Sequence, residues 1–441
     1  MRPHTPDLTI TQTGDLFIDL ANAIAGTAIG GPAKIAVVSS ALFGTISGSS
    51  TANVATTGNY TIPLMKRIGY SSVFSGAVEA AASTAGQIMP PVMGAAAFVM
   101  SEITGIPYLK ICLAAVLPSI LYFIVLFHGI HLRALQKGMS GLKKEEVPVF
   151  IEVLKKRGYL LFPLLVLIFM LAVRQVSPMY AAFWAIIATV FASSLKKDTR
   201  LNIKTFIQAL VEGSSNATVV IAACACAGII VGVTTLTGIG LKLSSIIVHI
   251  GHGNMALTIL VTMIACYILG MGIPTTAAYI VAAVTAAPAL IDLGASPIAA
   301  HMVIFYSALL SDITPPVALS AYAASGIANA DPMKIAFESM RLAFVRFLFP
   351  FLFIYVPELL FQSSDILYTA VAFALVSVSC MLFTCGLQNY FFGSLGLFHR
   401  GVLFISASLI LMGAIAEKYF FILEPAGFGL LAILFFLRKK R

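Results

Sequence analysis

The sequence predicts an all-helical, polytopic membrane protein of two inverted repeats, each containing a re-entrant hairpin and a broken helix. Three observations predict it. Of 441 residues, 59% are hydrophobic and only 10% charged, against about 25% charged in soluble domains. Ser49-Ser50-Thr51-Ala52 and Pro90-Pro91-Val92 recur as Pro274-Thr275-Thr276-Ala277 and Pro315-Pro316-Val317, at one offset of 225 residues (50 to 275, 90 to 315). The distribution of Lys and Arg then places the two copies in the bilayer from opposite faces.

The elements follow from apolar runs between charge clusters. Residues 1–12 form a polar N-terminus with two prolines and no apolar signal segment. A first repeat, 13–130, holds a hairpin at 33–58 broken near Gly48, a broken helix at 71–104 and a plain span at 111–129. A basic loop, 131–158, separates it from the second repeat, 159–360. That repeat holds scaffold spans within 159–236, a hairpin at 254–290, a broken helix at 296–327 and a span at 343–360. Residues 361–441 form a C-terminal extension of about three spans.

The loops 131–158 and 196–204 are rich in Lys and Arg and are expected in the cytoplasm, as is the tail Arg438-Lys439-Lys440-Arg441. Propagating that assignment puts Lys66 and Arg67 inside and the segment 291–297 outside, so the repeats are inverted. The net charge of +9 therefore reports topology, not a nucleic-acid partner. The six cysteines lie mostly within apolar spans, and Cys224-Ala225-Cys226 lacks the spacing of a zinc site. The spans 159–173, 179–195 and 206–236 have no counterpart ahead of the first hairpin. Equivalent scaffold is therefore expected ahead of Met1, and the chain reads as the later part of a longer protein.

Paired interruptions in corresponding positions of two halves point to the binding site of a secondary transporter. Unwound backbone at membrane depth must be covered by protein or line a polar cavity. Helix N-termini suit an anionic substrate, whereas C-terminal ends, free carbonyls and hydroxyls suit a cation. Pro91 and Pro316 each remove an N–H, leaving the carbonyls of 86–89 and 311–314 without helical partners. The candidate cation-binding residues are Ser47, Ser49, Ser50, Asn53, Gln87, Pro90, Gly272, Thr275, Thr276, Asp312 and Thr314. The candidate substrate-binding residues are Thr51, Asn53, Thr276, Pro91 and Pro316. Hydroxyls without a carboxylate cluster fit sodium, or proton coupling at Asp312, better than a transition metal. No cofactor and no further metal is expected. Glu79 lacks an acidic counterpart, since position 304 is Ile, and is assigned a structural hydrogen bond; His301 is assigned to packing. Gly138-Met139-Ser140-Gly141 sits in a charged loop and is read as a turn, so no enzyme is expected.

Residues Ile46–Val54, Thr61–Tyr70 and Gln87–Gly94 resemble the large membrane subunit of TRAP transporters, tripartite ATP-independent periplasmic transporters. Residues Gly270–Ala277 and Asp312–Ala318 resemble the same subunit's second half, with wording most similar to fused permeases of the TAXI branch. The resemblance covers about residues 13–360. It implies an elevator-type, sodium-driven carrier in the cytoplasmic membrane of a bacterium or archaeon. Its substrate would be a small organic anion, typically a carboxylate, delivered by a periplasmic binding protein. A small membrane subunit, or the missing N-terminal membrane portion, would complete it in the lipid bilayer. The family's cation-site roles map onto Ser49, Ser50, Asn53, Pro90, Thr275, Thr276 and Thr314. Competing expectations are a stand-alone anion carrier of the wider ion-transporter superfamily and a non-transporting fragment.

Overall fold

The structure is a computed structural model that describes residues 13–196, 199–200, 202–416 and 420–439. The expected polar N-terminus and the end of the basic tail, Lys440 and Arg441, lie outside the described residues. No strand occurs among the described residues. The helices are α1 (Thr13–Ala25), α2 (Gly31–Ser47), α3 (Ser50–Arg67), α4 (Ser72–Ala85), α5 (Ala95–Thr104), α6 (Tyr108–Gln136), α7 (Phe150–Arg157), α8 (Phe162–Ala172), α9 (Pro178–Ser194) and α10 (Ile203–Thr237). They continue as α11 (Ile239–Ile250), α12 (Met255–Gly270), α13 (Thr275–Asp292), α14 (Pro297–Leu310), α15 (Leu319–Ala328), α16 (Pro332–Leu342), α17 (Phe349–Tyr355), α18 (Ile366–Gln388), α19 (Leu397–Ile415) and α20 (Phe420–Lys439). Among the described residues, five of these, α6, α10, α13, α18 and α19, are long and apolar enough to cross a membrane.

Local sequence explains where the helices start. Ser71 caps α4 by accepting a hydrogen bond from Phe74 N–H, and Ser296 caps α14 by accepting one from Ala299 N–H, both at 3.3 Å. Those two caps stand at equivalent positions of the repeated sequence (71 to 296). Pro297 and Pro332 occupy first helical positions, where a missing N–H costs nothing. Gly48 ends α2 with φ 60°, a left-handed conformation that favours glycine.

The second half of each broken helix packs away from its first half. Helix α15 lies on α3 and α4, while α5 lies on α13 and α14. The two parts of the chain thus interlock, and polar contacts stitch them. Lys66 Nζ donates to Ala328 O at 2.9 Å, Ser339 Oγ to Ala77 O at 3.3 Å, and Arg346 Nη2 to Thr84 O at 3.0 Å. Helices α18, α19 and α20 form a bundle that joins the rest through contacts of α18 with α6 and with the 3₁₀ turn Pro357–Leu360.

Glu79 is fully buried where α2, α3 and α4 meet. Its carboxylate accepts from Ser83 Oγ at 3.1 Å and Ser40 Oγ at 3.4 Å, and from Thr57 and Thr61 hydroxyls at closer range. A buried carboxylate at membrane depth is costly unless its oxygens are satisfied, and here four hydroxyls from three helices converge on it. Glu79→Ala is therefore expected to leave these hydroxyls short of an acceptor and to destabilise the fold by about 2–4 kcal/mol. Glu79→Gln keeps the shape and is expected to lose less. Thermal unfolding of the purified variants in detergent checks the order, and an Ala variant as stable as Gln contradicts it.

Two expectations change. Residues 343–360 do not form one span: a 3₁₀ turn (Phe344–Phe347), α17 and a second 3₁₀ turn (Pro357–Leu360) replace it. Pro350 and Pro357 interrupt the ladder there, and the buried Arg346 turns inward over the Tyr122 ring, 5.2 Å from its centroid. The long polar-sided α3 runs on to Arg67, well past the expected hairpin end at 58, because Glu79 satisfies its hydroxyl face. The run at 206–236 is the single helix α10, and Gly238, at φ 68°, separates it from α11, which fills the stretch before the second hairpin.

Candidate functional site

Both double-proline breaks follow a helix that stops five residues before the first proline (85 to 90, 310 to 315). After α4 the chain makes a 3₁₀ turn at Gly86–Ile88, and α5 does not start until Ala95. After α14 it turns through residues 311–318 before α15. Four of the eight carbonyls expected to be free there, those of Gly86, Ile88, Met89 and Asp312, are taken, and so are those of Pro91, Val92 and Pro315 just beyond. Ile88 O accepts from Ser119 Oγ at 2.6 Å, and Pro91 O and Val92 O both accept from Tyr108 Oη at 2.7 Å. Asp312 O accepts from Ser320 N–H at 3.0 Å, and Pro315 O from the Tyr267 hydroxyl. These side chains of α6 and α12 hold the breaks open in a fixed shape.

The hairpin tips meet the breaks at Asp312. One oxygen, Oδ2, accepts from Ser50 Oγ at 2.9 Å, Gln87 Nε2 at 2.9 Å and Thr275 Oγ1 at 3.4 Å. Ser50 and Thr275 begin α3 and α13, the second helices of the two hairpins. Gln87 and Asp312 are themselves equivalent positions of the repeat (87 to 312), so one amide and one carboxylate pair across the centre. The Asp312 side chain is 3% exposed and faces a cavity of about 860 Å³.

Of the candidate residues, Ser47, Ser49, Ser50, Thr51, Gln87, Gly272, Thr275, Thr276 and Asp312 line this cavity. Ser49 Oγ caps α3, accepting from Ala52 N–H at 3.3 Å, and lies 3.4 Å from Thr51 Oγ1. Pro90, Pro91, Thr314 and Pro316 are not among its lining residues; the prolines shape the breaks from behind. Thr314 Oγ1 is buried and has no partner among the described residues. Asn53 does not line the cavity either. It is wholly buried, and its Nδ2 donates to Ser40 O at 3.0 Å, tying α3 to α2. Its spacing from the tip resembles a ligand's, but three residues along a helix turn it to the packed side. His301 is a packing residue whose Nδ1 bonds the Tyr279 hydroxyl at 2.8 Å. Ser140 is exposed in its loop, with no hydrogen bond to His128 or His131.

Lining residues that motif matching missed come from elsewhere: Ala95 and Ala96 at the start of α5, Leu319 at the start of α15, Phe305 of α14 and Ala217 of α10. Together with Ser50–Ala52 and Thr275–Thr276, they bring the N-terminal turns of four helices, α3, α5, α13 and α15, to one cavity. N-terminal turns carry free N–H groups and partial positive charge. Asp312 is the one titratable side chain among the lining residues. No cluster of three or more His, Cys, Asp or Glu occurs among the described residues.

Apolar helices around a polar cavity built on broken helices are the architecture of a polytopic membrane protein. A family model described as "Tripartite ATP-independent periplasmic transporter, DctM component" matches residues 8–364. The chain belongs to that family and is a large permease component of a TRAP transporter. It is 26% identical over 374 residues to the C4-dicarboxylate TRAP transporter large permease protein DctM of Vibrio cholerae, covering 79% of this chain and 81% of that one. The protein of the same description from Pseudomonas aeruginosa is 26% identical over 312 residues, covering 70% of this chain and 72% of that one. The isethionate TRAP transporter permease protein DctMQ of Oleidesulfovibrio alaskensis is 24% identical over 319 residues, covering 71% of this chain. The match spans about half, 49%, of that relative's length.

Proposed function

We propose that this permease is the membrane component of a cation-coupled symporter that imports a small organic anion, with a carboxylate as the favoured class. The observation that carries the proposal is the central cavity, where four helix N-termini meet a ring of hydroxyls around one buried carboxylate. The N-termini supply donors for an anion. Ser50, Thr275, Thr276 and Asp312 supply hard oxygen donors of the kind that hold sodium, and the unpartnered Thr314 hydroxyl lies beside them in sequence. One bound cation would offset the charge of Asp312 and favour entry of the anion beside it. The relatives' names, isethionate and C4-dicarboxylate transporters, support an acidic substrate.

Two inverted repeats with re-entrant hairpins account for the matched caps, the matched breaks and the interlocked packing. In this arrangement the core of hairpins and broken helices moves across the membrane against the scaffold. The family description, tripartite and periplasmic, supports delivery by a periplasmic binding protein and assembly with a small membrane subunit in the cytoplasmic membrane. The basic tail supports a cytoplasmic C-terminus.

The experiment is uptake of a panel of labelled organic acids by proteoliposomes containing the full chain with its neighbouring transporter components, with and without a sodium gradient. Ser50→Ala and Thr275→Ala each remove one donor to Asp312. Each is expected to raise the sodium concentration for half-maximal uptake about tenfold to a hundredfold, equivalent to ~1.5–3 kcal/mol for a bond to a charged group. Sodium activation unchanged in both variants would return these hydroxyls to packing.

A further inference from the structure

Away from the central cavity, a second cavity of about 520 Å³ lies between α2, α6 and α18. We propose that it binds one anionic phospholipid, with the phosphate at Lys34 and His131 and an acyl chain along the walls toward Leu42 and Phe123. The proposal rests on the order of residues along the groove. Helix α2 contributes Lys34, Val37, Val38, Ala41 and Leu42, and α6 contributes His131, Phe127, Ile124 and Phe123. The two helices run antiparallel, so Lys34 and His131 share one end and Leu42 and Phe123 the other. Eight helical residues separate the ends, about 12 Å, the length of the upper part of an acyl chain.

The polar end is made of donors. Lys34 Nζ donates to His131 Nδ1 at 3.1 Å, which leaves two ammonium N–H groups and the His131 Nε2–H for another acceptor. Lys34 is only 4% exposed, and no carboxylate pairs with it among the described residues. Its charge instead lies 4.6 Å from the Phe127 ring centroid. A buried lysine without an anionic partner is costly at membrane depth, and a phosphate supplies that partner. The remaining polar lining residue, His128, is engaged with Cys385 Sγ at 3.4 Å. His131 lies in the last two turns of α6, which ends at Gln136 just before the basic segment, so the donor end lies where headgroups of the cytoplasmic leaflet lie.

The walls decide between occupants. A free phosphate gains nothing from Val37, Leu42, Phe123 and Phe127, whereas an acyl chain does. An ethanolamine headgroup would bring its own ammonium toward Lys34, and the groove lining holds no carboxylate to receive it. The groove shares no lining residue with the central cavity, so it is not a branch of the substrate site.

Native mass spectrometry of the purified full chain tests this with phosphatidylglycerol, phosphatidylethanolamine and inorganic phosphate as probes. One phosphatidylglycerol should survive delipidation and outlast phosphatidylethanolamine. Lys34→Met with His131→Phe should lower its retention about fivefold or more, and Lys34→Arg should preserve it. Ala41→Trp, which fills the apolar end and leaves the basic pair in place, should lower it as well. Equal retention of the two lipids, displacement of the lipid by inorganic phosphate, or full retention in both the double variant and Ala41→Trp would overturn the proposal.

Discussion

Asp312→Ala is expected to reduce uptake at least a hundredfold while the protein still reaches the membrane. A single oxygen of Asp312 receives Ser50, Gln87 and Thr275, which come from the first hairpin tip, the first break and the second hairpin tip. Alanine removes the acceptor for all three at once. Gln87, 6% exposed, and Ser50, 3% exposed, are then left with unmet donors, and the tips lose the group that draws them together. Losing hydrogen bonds to one buried charge costs ~3 kcal/mol, which corresponds to about a hundredfold. Asp312→Asn separates charge from shape, because its amide oxygen still accepts. If charge attracts the coupling cation, Asn should retain the tip geometry yet lose sodium dependence. Uptake by the Ala variant within tenfold of the parent contradicts the account.

Gly44→Val is expected to be comparably severe for a different reason. A Cβ at Gly44 would lie 2.3 Å from Gly86 Cα, and one at Gly86 would lie 2.9 Å from Gly44 Cα. Backbone faces backbone there, so neither side yields by a rotamer change. The first hairpin would have to lift off the first break, carrying Ser50 away from Asp312. Overpacking of this kind costs ~1–3 kcal/mol in stability, and the displaced tip adds the loss of the cavity. The second copy has a related contact: a Cβ at Gly270 would lie 2.9 Å from Ser311 Oγ, a side-chain atom that can rotate. Gly270→Ala should therefore be milder than Gly44→Ala. Gly228→Ala on α10, where a Cβ meets nothing within 4 Å, should be silent. Uptake assays and detergent melting curves on the four variants check this ranking; equal effects in Gly44→Val and Gly228→Ala would refute the close approach.

The breaks were legible in the sequence because glycine and proline act locally. Gly48, Pro90-Pro91 and Pro315-Pro316 interrupt helices whatever surrounds them, and the constant offset shows that the interruptions are paired. What could not be read was which polar groups meet. Asp312 reaches Ser50 across 262 residues of chain, a pairing that only the interlocking of α15 with α3 creates. The same holds for Arg346 on Thr84 O and for Ser119 and Tyr108 on the break carbonyls. Asn53 has the chemistry and spacing of a tip ligand, yet helical periodicity turns it toward Ser40 and Ser83. The four helix N-termini were missed because Ala95 and Leu319 are apolar; their contribution is backbone, which no side-chain motif announces.

Two inverted copies would enter the bilayer from opposite faces, and residue accessibility tests that arrangement most directly. Arg67 and Asp292 end α3 and α13 at equivalent positions of the repeat (67 to 292), and both are exposed. Each is replaced singly by cysteine in a chain lacking Cys224 and Cys226, the two native cysteines that are not buried. A membrane-impermeant thiol reagent is then applied to right-side-out and inverted vesicles. Labelling at position 67 only from the cytoplasmic face and at 292 only from the opposite face is the predicted result; labelling of both from the same face would contradict it.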